Sequence, residues 1–148
     1  MERKASARWQ GGLKDGKGSV STASGVLDHA QYSFGTRFEQ GKGTNPEELI
    51  AAAHAGCFAM ALSAQLERTG LKAENIEVTA TVKLEKVGND WTVTASHLDL
   101  AARIPDADPA AFDKAANTAK EGCPISRLLK TNITLNARLE EGAHRSAQ

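Results

Sequence analysis

The sequence has little of several features that commonly indicate a function. Its 148 residues include only two cysteines and four prolines, and aromatic residues make up 5% of the chain. Lys and Arg together number 18, as do Asp and Glu, so the basic excess of a nucleic-acid-binding surface is missing. No run of five like charges occurs, which excludes a charged interaction tail. We therefore expect no nucleic-acid partner.

The sequence also lacks an obvious secretory or membrane segment. The N-terminal residues are charged and polar, without the apolar region of a signal peptide. The longest apolar stretch, from Leu49 to Leu62, is interrupted by a histidine and a glycine and is too short for a membrane span. We expect a cytoplasmic protein that binds no membrane, with one domain over residues 1–141 and a disordered tail over residues 142–148. In a reducing compartment, two cysteines are more often catalytic, metal-binding or inert than a permanent disulfide.

Short strands are predicted in the first part of the chain. The pairs Gly11-Gly12 and Asp15-Gly16 are turn signals that separate them. Aromatic and polar residues alternate from Gln31 to Glu39, which predicts a strand whose polar face carries Arg37.

A long helix is the most clearly predicted element. Asn45 can cap its start, with Pro46 at the first helical position and Glu48 three residues after the cap. The helix should run to about Arg68, and Gly70 should end it. Its middle is apolar on nearly every side, so it must be covered all round. One small sheet cannot do this, whereas a second copy of the chain can.

The remainder of the chain predicts a hairpin, two helices and a final strand. The hairpin strands show inward apolar residues on alternate positions, and the last strand shows the same pattern. The fold class is therefore α+β. The predicted segments are a hairpin from Ile76 to Ile104 that turns at Gly88 to Asp90, a helix from Pro109 to near Gly122, a short helix from Cys123 to Lys130 and a strand from Asn132 to Glu140.

The two cysteines have different predicted settings. Cys123 precedes Pro124 and should cap a helix, where backbone N–H groups and the helix dipole favour a thiolate. Cys57 lies in mid-helix, so a positive side chain would have to lower its pKa, and Arg37 is the best candidate. Cys57 is equally consistent with a small apolar core residue, because most buried cysteines are inert.

Glu47 and His54 each have two interpretations. Glu47 lies ten residues before Cys57, roughly 15 Å along the helix axis, so it cannot reach that thiol in its own helix. It is either a surface residue that suits the helix dipole or a carboxylate supplied to Cys57 of an antiparallel partner chain. His54 shares a face with Cys57 and could act as its base, but a hydrogen-bonded structural histidine is favoured. A zinc site made from His54, Cys57 and Cys123 lacks any paired ligand spacing, and no phosphate-binding glycine loop occurs.

Two motifs resemble the OsmC/Ohr family of thiol peroxidases. They are Asn45-Pro-Glu-Glu-Leu-Ile-Ala-Ala-Ala-His-Ala-Gly-Cys57 and Gly122-Cys-Pro-Ile-Ser126, while Thr36-Arg-Phe-Glu39 is similar to the osmotically inducible OsmC branch. The resemblance covers nearly the whole chain, to about Leu139. It implies an intertwined homodimer, in which antiparallel sheets wrap around two long central helices and the sites lie at the interface.

The resemblance also implies roles for four residues. Cys57 matches the cysteine that attacks peroxide, and Cys123 matches the one that resolves the product into a disulfide. Arg37 matches the arginine that holds Cys57 as a thiolate, and Glu47 matches its glutamate partner. This assignment differs from the dipole argument, which makes Cys123 the more acidic thiol. We follow the resemblance, because an arginine in a dry site can outweigh a helix terminus.

The expected activity is the reduction of organic hydroperoxides, and more slowly of hydrogen peroxide. The enzyme would need no cofactor or metal, and a dithiol, for which lipoylated proteins serve in relatives, would reset the disulfide. An apolar lining should favour organic substrates, and its predicted residues are Phe34, Phe38, Leu49, Ile50 and Phe58. The alternatives are a non-enzymatic redox sensor or small-molecule binder on the same dimeric fold, and a structural dimer with buried, inert cysteines.

Overall fold

The computed structural model describes residues 1–140, in two compact units. Residues 1–49 form unit 1, and the chain from residue 50 onward forms unit 2. The predicted disordered tail at residues 142–148 lies outside the described residues.

Unit 1 begins with a three-stranded antiparallel sheet whose strands lie side by side in sequence order. Trp9 lies opposite Gly18, and its ring packs 5.5 Å from that of Tyr32. A Cβ at Gly18 would lie 2.6 Å from atoms of both rings, so the close packing of the two aromatic side chains requires glycine there. The strands are β1 (Ala5–Gln10), β2 (Lys17–Thr22) and β3 (Ala30–Tyr32).

The strand predicted from Gln31 to Glu39 is wrong beyond its start, because the helix α1 (Phe34–Phe38) forms there. Ser33 and Thr36 form a reciprocal capping box. The Ser33 Oγ accepts the Thr36 N–H at 3.3 Å, and the Thr36 Oγ1 accepts the Ser33 N–H at 2.8 Å. These two bonds satisfy helix-terminal donors that the alternating side-chain pattern does not reveal. Arg37 consequently lies on a helix rather than on a strand.

The long helix is confirmed as α2 (Pro46–Arg68). Asn45 caps it as predicted, because its Oδ1 accepts the Glu48 N–H at 2.7 Å. Gly70 follows its end with φ +82°, the left-handed conformation that commonly terminates a helix.

Unit 2 contains a mixed sheet of β4 (Asn75–Val87), β5 (Asp90–Arg103) and β6 (Asn132–Leu139), in that order. The predicted hairpin is confirmed, with β4 and β5 antiparallel, but β6 pairs with β5 in parallel, so the prediction of antiparallel sheets is wrong here. The physical reason is the helical connection between β5 and β6, which returns the chain to the end of the sheet where β5 started. The two helices of this connection are α3 (Pro109–Gly122) and α4 (Pro124–Leu128).

The core of unit 2 packs one stripe of α2 against β5 and α3. The buried α2 residues recur every four positions, as expected for one face of a helix, and β5 buries alternate residues. The core comprises Phe58, Leu62, Leu66, Leu98, Leu100, Ala102, Ile104, Phe112, Ala115, Ala116, Ala119 and Cys123.

The opposite stripe of α2 is apolar but exposed. Ala52, Gly56, Met60 and Ala64 lie along it, and Met60 is 77% exposed. By length and composition alone α2 could also cross a membrane, but the core helices of soluble proteins meet the same criteria. The described chain therefore covers only one side of a helix that the sequence predicts to be covered all round.

Candidate active site

The two thiols lie together in unit 2. Cys57 is half-buried on α2, and Cys123, 1% exposed, lies between α3 and α4. The predicted N-cap is confirmed, because the Cys123 Sγ accepts the Ser126 N–H at 3.4 Å. Cys123 lies close enough to Cys57 to raise its pKa, and both are free thiols. Two residues that are 66 positions apart in sequence are thus brought to the same core cluster.

The surroundings of Cys57 in unit 2 favour its neutral form. Burial raises the pKa of the Cys57 thiol, and the neighbouring Cys123 side chain raises it further. A hydrogen bond from the backbone N–H of Ile125 lowers the pKa, but burial outweighs it. A reactive thiolate at Cys57 therefore needs a positive charge that these unit 2 neighbours do not supply.

A buried histidine extends the cysteine pair into a hydrogen-bonded chain. His54 is 0% exposed, with its Nδ1 at 2.6 Å from the Ser96 Oγ and its Nε2 at 2.8 Å from the Ser126 Oγ. The Ser126 Oγ lies 3.2 Å from the Cys123 Sγ. Burial lowers the pKa of His54, so its imidazole is neutral at physiological pH. The prediction of a hydrogen-bonded histidine is confirmed.

Sequence reasoning missed the serine partners of His54. Ser96 lies on β5 in step with the inward-facing Leu98 and Leu100, and a polar residue at such a position needs a buried partner. Ser126 lies three residues after Cys123, the position that faces a helix-capping side chain. Both signals were present in the spacing, although they did not identify the histidine.

In unit 1, Arg37 and Glu47 form a bidentate ion pair. The Arg37 Nε donates to Oε1 at 3.1 Å and Nη2 donates to Oε2 at 2.9 Å. The side chain of Glu47 is 12% exposed and that of Arg37 38%. Asn45 supports the pair, because its Nδ2 donates to the Thr36 carbonyl at 2.9 Å and so fixes α1 to the start of α2. The family pairing of arginine and glutamate is therefore present within one chain.

A cavity of about 270 Å³ in unit 1 adjoins Arg37. Phe34 and Phe38 lie in its wall with ring centroids 5.0 Å apart, and the Arg37 guanidinium lies 5.2 Å from the centroid of Phe38. The full lining is Trp9, Leu13, Tyr32, Ser33, Phe34, Arg37 and Phe38, four members of which the sequence analysis did not anticipate.

The other three predicted lining residues lie elsewhere. Leu49 is half-buried at the end of unit 1, and Ile50 is half-buried at the start of unit 2. Phe58 is 0% exposed in the core of unit 2. Among residues 1–140, no three His, Cys, Asp or Glu side chains form a group that could hold a metal ion.

Comparisons of sequence relate this site to known proteins. A family model described as OsmC-like protein matches residues 39–138. The chain is 48% identical over 140 residues to peroxiredoxin OsmC of Escherichia coli strain K12, which covers 95% of this chain and 98% of the relative. Cys57, Cys123 and Glu47 lie within the residues that match the family model, and Arg37 lies two residues before them.

Solved structures share the fold. The crystal structure of the organic hydroperoxide resistance protein OhrB of Bacillus subtilis aligns with a TM-score of 0.69 at 25% identity, over 93% of this chain and 98% of that one. An OsmC-like protein of unknown function from Vibrio cholerae aligns with a TM-score of 0.73 at 15% identity, over 93% and 99%. The latter shows similarity of fold alone.

Proposed function

Because the chain belongs to the OsmC-like family, we propose that it is a cysteine-based peroxidase that reduces organic hydroperoxides, and hydrogen peroxide more slowly. The observation that carries the proposal is the neighbouring pair of free thiols, Cys57 and Cys123. The names of the relatives, peroxiredoxin and organic hydroperoxide resistance protein, fit this chemistry.

The reaction proceeds through two changes at sulfur. The Cys57 thiolate attacks the distal peroxide oxygen, the O–O bond breaks, and an alcohol or water leaves. The Cys57 sulfenic acid then condenses with the Cys123 thiol, which forms the disulfide and releases water. A dithiol, such as a lipoyl group on a carrier protein, exchanges with the disulfide and restores both thiols.

Arg37 supplies the positive charge that Cys57 lacks among its neighbours in unit 2. A guanidinium near the sulfur favours the thiolate and offers N–H donors to the peroxide oxygens as negative charge develops on them. Glu47 holds the guanidinium by two parallel hydrogen bonds, which fix the orientation of its remaining donors. The bidentate geometry supports these roles for both residues.

An apolar pocket selects the substrate. The rings of Phe34 and Phe38 beside Arg37 offer a surface for the organic part of a hydroperoxide, with Leu49 and Ile50 as further half-buried apolar residues. Phe58 contributes through the core of unit 2, where it fixes the helix turn that carries Cys57.

The working form is an intertwined cytoplasmic homodimer. The exposed apolar stripe of α2, with Met60 at its centre, supports this because a second copy can bury it across a two-fold axis. Similarity to a curated relative over 95% of the chain supports a single OsmC-like domain over residues 1–141.

One observation favours a second function, that of a slow redox sensor. The pKa of Cys57 is raised by its surroundings in unit 2, and a thiol that stays neutral reacts slowly with peroxide. A sensor would oxidise once, whereas a peroxidase turns over repeatedly when a dithiol reductant is supplied.

Mass measurement after peroxide treatment tests the proposal. The wild type should lose two hydrogens as the disulfide forms, and Cys57→Ser should lose none. Cys123→Ser should gain one oxygen as sulfenic acid, and then a second as sulfinic acid. A wild type that stays fully reduced, or a disulfide-forming wild type without turnover on a dithiol, would contradict the peroxidase assignment.

A further inference from the structure

The buried cluster beside the resolving cysteine contains more hydrogen-bonding groups than a helix cap needs. The backbone N–H of Ser126 already caps through the Cys123 Sγ, yet the Ser126 hydroxyl also contacts that sulfur at 3.2 Å. Ser126 is 7% exposed, so its hydroxyl is largely shielded from solvent. Its other partner is the Nε2 of His54 at 2.8 Å.

We propose that Ser126 is a further catalytic residue, which takes the proton from Cys123 during disulfide formation, and that His54 is the positioning residue that orients its hydroxyl. The inference rests on the proposed peroxidase function. Its basis is the continuous chain of contacts from Ser96 through His54 and Ser126 to the reacting sulfur of Cys123.

The neutral state of His54 allows the tautomer that the proposed step requires. A neutral imidazole has one donor nitrogen and one acceptor nitrogen, and it lies here between two hydroxyl groups. When Nδ1–H donates to Ser96, Nε2 accepts the O–H of Ser126. The Ser126 oxygen is then free to accept the S–H of Cys123, which is the arrangement that proton removal requires.

The resolving step balances in atoms and charge. The Cys123 sulfur attacks the Cys57 sulfenic sulfur, the S–S bond forms and the S–O bond of the sulfenic acid breaks. Ser126 takes the thiol proton as its own hydroxyl proton shifts to the Nε2 of His54. His54 returns its extra proton through Ser126 to the hydroxide leaving Cys57, which departs as water and leaves His54 neutral. Burial disfavours a charged imidazole, so His54 does not retain this proton.

A single-turnover experiment separates the two chemical steps. Reduced protein is mixed with one equivalent of an organic hydroperoxide, and sulfenic acid and disulfide are followed by mass after rapid quenching. In Ser126→Ala, sulfenic acid should form at the wild-type rate, while disulfide formation slows by about 10- to 100-fold. More Cys57 should consequently reach the sulfinic state.

Further measurements separate chemistry from structure. Ser126→Thr keeps the hydroxyl and should restore most of the rate of disulfide formation. The wild type should show a solvent deuterium isotope effect on this step that Ser126→Ala loses, a change that altered packing would not cause. Thr134→Val is the matched control, because it removes another histidine-bonded hydroxyl, the partner of His97 on the outer sheet face, and should leave the rate unchanged.

Two substitutions at His54 test its positioning role. His54→Gln can keep an acceptor at the position of Nε2 beside Ser126, whereas His54→Asn can keep only a group at the position of Nδ1 beside Ser96. Disulfide formation should be faster in the Gln variant, with melting temperatures measured for both. Equal rates in the two folded variants would overturn the role of His54.

The outcomes separate the role of Ser126 from the proposed peroxidase function. If the wild type forms the disulfide and Ser126→Ala forms it equally fast, the role of Ser126 is overturned and the peroxidase function stands. A wild type that forms no sulfenic acid would overturn the proposed function, and the inference with it.

Discussion

Unit 1 and unit 2 carry opposite kinds of chemistry. Unit 1 holds the charged pair of Arg37 and Glu47, partly open to solvent beside an aromatic cavity. Unit 2 holds the two thiols, a neutral histidine and two serines, nearly all buried. The surroundings of Cys57 in unit 2 raise its pKa, so the proposed reaction needs a positive charge that these surroundings do not supply.

The largest expected effect comes from removing that charge. Arg37→Ala should slow the reaction of Cys57 with an organic hydroperoxide by about 100-fold or more, because both thiolate stabilisation and a donor to the peroxide are lost. The rate should recover as the pH rises, since the raised pKa of Cys57 then controls the amount of thiolate. Rapid-mixing measurements of thiol loss across pH provide the test.

Arg138→Ala is the control for this substitution, because Arg138 lies on the exposed side of β6 and should not affect the rate. Arg37→Lys keeps the charge but loses the bidentate contact, so it should fall between the two. If Arg37→Ala reacts at the wild-type rate, then Arg37 does not supply the positive charge for Cys57.

The next largest effect is the pH dependence of stability that arises from the buried, neutral His54. The pKa of His54 is lowered in the folded protein from its ordinary value of 6.5, so the unfolded chain takes up a proton first as the pH falls. The stability that neutral His54 contributes is therefore present above pH 6.5. It decreases below that pH by up to about 1.4 kcal/mol per unit, until the folded-state pKa is reached.

Urea unfolding of the reduced protein at fixed concentration, between pH 7 and pH 5, measures this loss. His54→Gln should be less stable at pH 7 but should show a shallower decline, because its amide does not titrate. The serine partners of His54 do not titrate in this range either. Parallel declines for the two proteins would show that the histidine is not held neutral.

The smallest expected effect, about a factor of two, tests which chain supplies the charge. Because Arg37 and Glu47 pair within one chain, they should act as one group. We expect a purified mixed dimer of Arg37→Ala and Cys57→Ser chains to retain about half of the wild-type activity, if the pair serves the Cys57 of the partner. An inactive mixed dimer would show that each chain uses its own arginine.

The sequence predicted the elements whose signals are local. The cap at Asn45, the stop at Gly70 and the alternation along β5 all appear where expected, because each depends on residues close in sequence. The failure at α1 is instructive, since the capping box of Ser33 and Thr36 overrides an alternating pattern.

The candidate site was predicted less completely because most of its contacts are non-local. Recognition of motifs identified the cysteines, but the chain from Ser96 to His54 to Ser126 joins residues 42 and 72 positions apart. The spacing of residues along the sequence does not predict hydrogen bonds between residues so far apart. The parallel direction of β6 was missed for a related reason, because it depends on where a two-helix connection returns the chain.

Cys123 also connects the redox state of the protein to the structure of α4. Its backbone N–H closes the last turn of α3, and its sulfur closes the first turn of α4. Bonding that sulfur to another sulfur restricts its rotation and changes its geometry as an acceptor, so we expect α4 to loosen on oxidation. Leu128, 70% exposed on α4, would then be displayed differently in the spent enzyme. A reductant protein that contacts this surface would then bind the disulfide form in preference to the dithiol form, before it transfers electrons.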